Sequence, residues 1–161
     1  MVHSQIIPPA QESHVAWAIF LGGVLCGALD IAAAFVVYGA LGLAPVPLLQ
    51  GIASGLLGRR AFSGNWATAL LGLFLEFFIS WGAATVYVFA SRVLPLLTRR
   101  PLIAGPLYGV AVYWFMQLVV LPLSAYSVRR FSWELTLIGI AIHMVCVGLP
   151  IALAARRAAA S

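Results

Sequence analysis

The sequence predicts an all-α membrane protein: a four-transmembrane-helix bundle with a short interfacial or re-entrant half-helix after the first span. Three observations point there. First, of 161 residues 63% are hydrophobic and only 8% charged, whereas soluble domains carry roughly 25% charged residues. A soluble chain so apolar could not cover its own surface, so the bilayer has to be its solvent. Second, four apolar runs are each long enough for a helix to cross about 30 Å of hydrocarbon. Third, each run carries one strongly polar residue near its middle, where such a group is costly and asks for a reason.

One domain suffices for this length. The net charge of +5 comes from nine arginines and no lysine, all between or after the apolar runs. That distribution fits lipid headgroups and topology. It excludes nucleic acid as a partner, because there is no soluble basic face and no recognised reading motif. Cys26 and Cys146 both sit inside apolar runs. They read as small packing residues, with no disulfide framework and no Cys-x-x-Cys pair.

The segment 1–13 is short and polar and lacks Lys and Arg. Without a basic n-region it is no secretory signal, so the first apolar run is expected to stay as a membrane helix. His3 and His14, in or beside this tail, read as solvated histidines. The first span covers about residues 15–38, with Ser13 as N-cap. Trp17 and Tyr38 lie about 31 Å apart along a helix and read as interfacial anchors. Gly23 and Gly27 form a G-x-x-x-G pair that lets another helix come close, and Asp30 follows one turn later.

Gly42, Pro45 and Pro47 are expected to break that helix. Residues 48–58 then form an apolar, Gly-rich piece about 16 Å long, half a bilayer. It reads as an amphipathic connector, with a gate or pore loop as the functional alternative and a full fifth span as the structural one. Gly51 and Gly55 again permit close packing.

The second span covers about residues 65–90, capped by Ser63 or Asn65 and anchored by Trp66 and Tyr87. Gly72, Glu76, Ser80 and Ala84 recur every four residues as one stripe of small and polar side chains, which belongs against other helices. The third span covers about residues 106–126. Pro106 suits its first turn, Pro122 should kink or end it, and Gln117 falls midway between Tyr108 and Tyr126. A short loop carrying Arg129-Arg130 makes the next span its antiparallel partner. The fourth span covers about residues 133–155, with Ser132 as N-cap, Glu134 in the first turn and His143 at the centre. Arg156-Arg157 closes it at the headgroups. The arginine balance across the bilayer is five against four, which leans towards both ends in the cytoplasm.

With the aromatic pairs as rulers, Asp30, Glu76, Gln117 and His143 all lie within about 4 Å of the span midpoints. A four-helix bundle would turn them inward into one coupled proton or cation cluster, with Gln117 bridging the ionisable groups. Haem is disfavoured because only His143 is an interior histidine. Paired Glu-x-x-His, His-Glu-x-x-His and Gly-x-Ser-x-Gly motifs are absent, so no metal centre, cofactor or hydrolase chemistry is expected.

The strings Gly27-Ala28-Leu29-Asp30 and Leu49-Gln50-Gly51-Ile52-Ala53-Ser54-Gly55-Leu56-Leu57-Gly58 resemble those of the YagU-like family of bacterial inner-membrane proteins. The likeness covers the first span, the half-helix and part of the second span. It implies a small multi-pass protein of the bacterial inner membrane and supplies no catalytic residues. Two functions fit the sequence. One is a transporter, channel or sensor that handles protons or a cation through Asp30, Glu76 and His143. The other is a non-catalytic accessory subunit, or a homo-oligomer, packing through Gly23, Gly27, Gly51 and Gly55 while the polar cluster fixes helix register.

Overall fold

A computed structural model describes residues 9–126 and 132–160. His3 and the Arg129-Arg130 loop lie outside the described residues. Among those described there is no strand. The elements are α1 (Pro9–Ala40), α2 (Pro45–Leu57), a 3-10 stretch (Gly58–Ser63), α3 (Asn65–Val93), the single turn α4 (Leu96–Arg99), α5 (Pro101–Leu123) and α6 (Trp133–Ala160). Four of them, α1 from Ser13 onward, α3, α5 and α6, are long and apolar enough to cross a membrane. The chain is thus a multi-pass membrane protein built as an all-α four-helix bundle.

Large side chains line the outside. Trp17 and Phe20 on α1, Phe74, Phe78 and Phe89 on α3, Leu107 and Phe115 on α5, and Leu137 and Val145 on α6 are all exposed. Small residues fill the inside, among them Ala18, Cys26, Ala84, Ala152 and Ala155. Lipid is as apolar as leucine, so helices associate in it through close backbone approach rather than through hydrophobic burial. Accordingly α5 crosses α6 where Gly105 and Gly109 meet Gly148 and the His143 carbonyl, backbone on backbone.

The prolines behave differently from their sequence reading. Pro45 and Pro47 start α2 rather than only ending α1, and Pro101 starts α5 one and a half turns before the expected Pro106, which lies inside the helix. A proline in a first helical turn loses no bond, because that N–H has no intrahelical partner. Ser13 is no cap, since α1 begins at Pro9. Gly64 rather than Ser63 or Asn65 precedes α3, with no side-chain cap. Asn65 takes φ 50°, a left-handed conformation that Asn tolerates. Ser132 does cap α6, accepting from the Leu135 N–H at 3.4 Å, with Glu134 in the first turn.

Pro122 and Pro150 leave matching marks. A π-helical stretch precedes each, Met116–Val120 in α5 and His143–Gly148 in α6. Proline cannot donate to the carbonyl four residues back, and its ring crowds that carbonyl, so the turn before it opens wide. Past Pro122, α5 ends at Leu123, which leaves Tyr126 beyond the helix, its N–H donating to Ser124 Oγ at 3.2 Å.

The half-helix α2 is 13 residues long and stays with α3. Gly72 meets the Leu49 carbonyl directly. Gln50, buried, donates through Nε2 to the Asn65 carbonyl at 3.0 Å and to Thr68 Oγ1 at 3.3 Å. The Thr68 hydroxyl in turn donates to the Ala61 carbonyl at 2.6 Å. Three turns of apolar helix are thereby clamped to α3 by one buried amide.

Candidate mid-membrane polar site

The site is created by the α1–α3 contact. Gly27 of α1 has no side chain, so Phe77 and Ser80 of α3 come against its backbone; a Cβ there would lie 2.8 Å from the Phe77 ring and 3.2 Å from Ser80 Oγ. Gly23, one turn earlier, receives the Trp81 ring in the same way, and Gly22 faces Ala84. The helices run antiparallel, so one turn beyond Gly27 on α1 meets one turn before Ser80 on α3. Those positions are Asp30 and Glu76.

Their carboxyl groups come within hydrogen-bonding reach of each other. Both are half-buried. A carboxylate only accepts, so a carboxyl–carboxyl hydrogen bond requires a proton on one of the two. Among the described residues no basic group acts on Glu76; its electrostatic neighbours are Asp30 and the Cys26 thiol. Ser80 sits a turn away, hydrogen-bonded to the Cys26 thiol, and Cys146 of α6 lies within electrostatic reach of both Cys26 and Asp30. Both cysteines are free thiols. Among the described residues, no group of three or more His, Cys, Asp or Glu side chains is placed to hold a metal ion.

Of the four expected members, the other two stand apart. His143 turns towards α5. Its Nδ1 is 2.9 Å from the Gly139 carbonyl, and its ring meets Tyr113 edge-on at 5.2 Å. A carbonyl accepts only, so that nitrogen carries the proton. Gln117 is exposed on α5 and, among the described residues, bridges none of the other three. The reasons differ. Gln117 misses in depth: Gly109 sits at the His143 carbonyl and Tyr113 on Gly139, which puts Gln117 about 12 Å further along α5. His143 misses in angle, because it opens a π-helical stretch, where a wide turn rotates the faces away from their α-helical positions.

The expected packing glycines also divide. Gly23 and Gly27 are used up within the chain, against α3. Gly51 has nothing within 4 Å and Gly55 only Ser124, at 3.8 Å. The contacts that sequence reasoning missed are Gly105, Gly109 and Gly148, although Gly105 and Gly109 form a second G-x-x-x-G pair that could have been read. It also missed Tyr113. That ring lies over Gly139, which only a glycine there permits: a Cβ would be 2.6 Å from Tyr113 Cε2.

Comparison with known proteins finds no matching family model, no matching curated protein and no matching solved structure.

Proposed function

We propose that this chain is a proton-linked transporter, channel or sensor of the bacterial inner membrane, in which Asp30 and Glu76 form the proton or cation site. The observation that supports it is the carboxyl pair on the inward faces of α1 and α3, with no basic side chain acting on Glu76 among the described residues. Polar pairs in a membrane interior mark ion and proton pathways far more often than chance placement would. A pair that shares a proton has two usable states. With both groups protonated it is neutral; when one proton leaves, the remaining one is held between the two oxygens and the pair carries one negative charge. A cation that arrives as the proton departs keeps the charge in balance, which is the chemistry of exchange. Cys26, Ser80 and Cys146 complete the surroundings with weakly polar groups that can neither neutralise the pair nor replace it. The inner membrane is proposed on the resemblance carried by residues 27–30 and 49–58.

The test is proton flux into proteoliposomes under an imposed pH gradient, with wild type beside Glu76→Gln and Asp30→Asn. Glutamine and asparagine retain the hydrogen-bonding shape and cannot release a proton. Flux present in wild type and lost in both variants supports the proposal. Equal flux in all three, with the variants folded, removes the pair from any pathway and leaves it a structural hydrogen bond.

A further inference from the structure

We infer that the Asp30–Glu76 pair is reached by water from one face of the bilayer only, the face that carries α2, along a seam between α1 and the outer halves of α5 and α6 that Tyr38 and Tyr113 guard. The functional meaning of this rests on the proton site proposed above, but the geometry stands by itself.

The two halves of the bundle are packed unequally. On the α4 side the interior is solid. Ala84, Tyr87, Ile151 and Ala152 are 0% exposed, and Gly22 lets Ala154 come close to α1, 3.3 Å from where its own Cβ would stand. The Tyr87 hydroxyl donates to the Leu97 carbonyl at 3.0 Å, tying α3 to the α4 turn. The Tyr108 hydroxyl donates to the Ala83 carbonyl at 2.8 Å, tying α5 to α3, and the two tyrosine rings meet at 4.9 Å. α4 itself packs across α5 and the end of α6. No path for water runs through groups so placed.

On the α2 side the same four helices part. α1 packs against α6 only from His143 onward; the preceding stretch Trp133–Ile142 packs on α5 and makes no extended contact with α1. The separation begins on the α2 side of His143, since the stretch His143–Gly148 still packs on α1. α2 is clamped to α3 and also packs through Leu48 and Leu49 with Ile31 of α1, so it lies beside those two helices. It touches the other wall where the Ala125 N–H donates to the Gly55 carbonyl at 2.8 Å.

Aromatic hydroxyls occupy the seam. Tyr38 on α1 lies within electrostatic reach of Asp30, of Tyr113 on α5 and of Tyr126 beyond its end. Tyr38 is 40% exposed and Tyr113 only 7%, so the outer residue is open and the inner one is a plug, seated on Gly139 and against His143. A ring with a hydroxyl at its tip suits that position, because one end packs in apolar surroundings and the other hydrogen-bonds to water.

Charged, membrane-impermeant thiol reagents test this. In the full chain with Cys26→Ala and Cys146→Ser, single cysteines are placed by Tyr38→Cys, Tyr113→Cys and Ala84→Cys. Arg60→Cys and Arg99→Cys, both at exposed positions, mark the two faces of the proteoliposome. The expected result is that Tyr38→Cys and Tyr113→Cys label from the face that labels Arg60→Cys, while Ala84→Cys labels from neither. Labelling of Tyr113→Cys from the Arg99→Cys face, or from neither face while Tyr38→Cys also stays unlabelled, overturns the inference. Should Tyr113→Cys fail to fold, Tyr38→Cys paired with Ser124→Cys carries the same comparison. One-sided labelling together with unchanged flux in Glu76→Gln would leave the entrance standing and the proton site refuted; lost flux without labelling would do the reverse.

Discussion

Substitution of Gly148 by alanine should weaken the fold more than its single methyl suggests. The added Cβ would land on the Gly105 carbonyl oxygen and would lie 2.7 Å from the Gly109 nitrogen and 2.8 Å from the Gly105 carbonyl carbon. Favourable contact needs about 3.5–4.0 Å between heavy atoms. Every atom it meets is backbone, so no side chain can rotate aside, and α5 and α6 must move apart. Overpacking of this kind costs about 1–3 kcal/mol, and the rigid neighbours put Gly148→Ala near the top of that range. Alanine regains about 0.5–1 kcal/mol of helix preference over glycine, so the net loss is about 2 kcal/mol, roughly 30-fold in the folding equilibrium. Gly51→Ala is the control. Nothing lies within 4 Å of its Cβ, so only the helix preference remains and the variant should gain about 0.5–1 kcal/mol. Unfolding in detergent micelles titrated with a denaturing surfactant, followed by tryptophan fluorescence, reads both. Gly148→Ala as stable as Gly51→Ala would refute the backbone-on-backbone crossing of α5 and α6.

Two smaller changes probe the ties that hold the irregular parts. Gln50→Ala removes the buried amide that joins α2 to Asn65 and Thr68; the Asn65 carbonyl and the Thr68 hydroxyl still hold each other and Ala61, so the loss should be that of the bonds alone, about 0.5–1.5 kcal/mol in the same titration. Tyr87→Phe keeps the ring against Tyr108 and deletes only the bond to the Leu97 carbonyl; a loss of about 0.5–1.5 kcal/mol is expected, and no change would mean that α4 is held by its apolar contacts alone.

What the sequence reveals is what depends on length and depth. Trp17, Tyr38 and Trp66 are exposed as interfacial aromatics should be, whereas Tyr87, read as the fourth anchor, is buried and donates to the Leu97 carbonyl, so it ties two segments of the chain together and does not mark a headgroup boundary. The Gly72–Glu76–Ser80–Ala84 stripe faces inward as its spacing requires, because α3 has no irregular turn to shift it. Azimuth is lost wherever the helix is not an α-helix. His143 shares the depth of the carboxyl pair but turns to α5, whereas Gln117 misses in depth as well: Gly109 sits at the His143 carbonyl and Tyr113 on Gly139, so Gln117 lies about 12 Å further along α5. A π-helical turn is the joint outcome of a missing donor and the neighbour that packs on it, and a single strand of sequence shows only the first. The glycine pairs are visible too, but a motif that permits close approach does not name what approaches. Gly23 and Gly27 receive Trp81 and Phe77 of their own chain, which a reading of one helix at a time could not assign.

The distribution of size across this bundle, alanine and glycine within and phenylalanine, leucine and tryptophan without, bears on how it would respond to heat. In a water-soluble domain, unfolding wets the core, and the hydration of that apolar surface gives a large positive heat-capacity change that curves stability with temperature. Here the helices separate into lipid. The few apolar atoms uncovered at Ala84, Ile151 and Ala152 pass from protein to acyl chain and never meet water. The folding free energy should then vary almost linearly with temperature, with neither a cold limit nor a pronounced optimum, and the thickness and order of the surrounding bilayer would govern stability in the way that temperature governs it elsewhere.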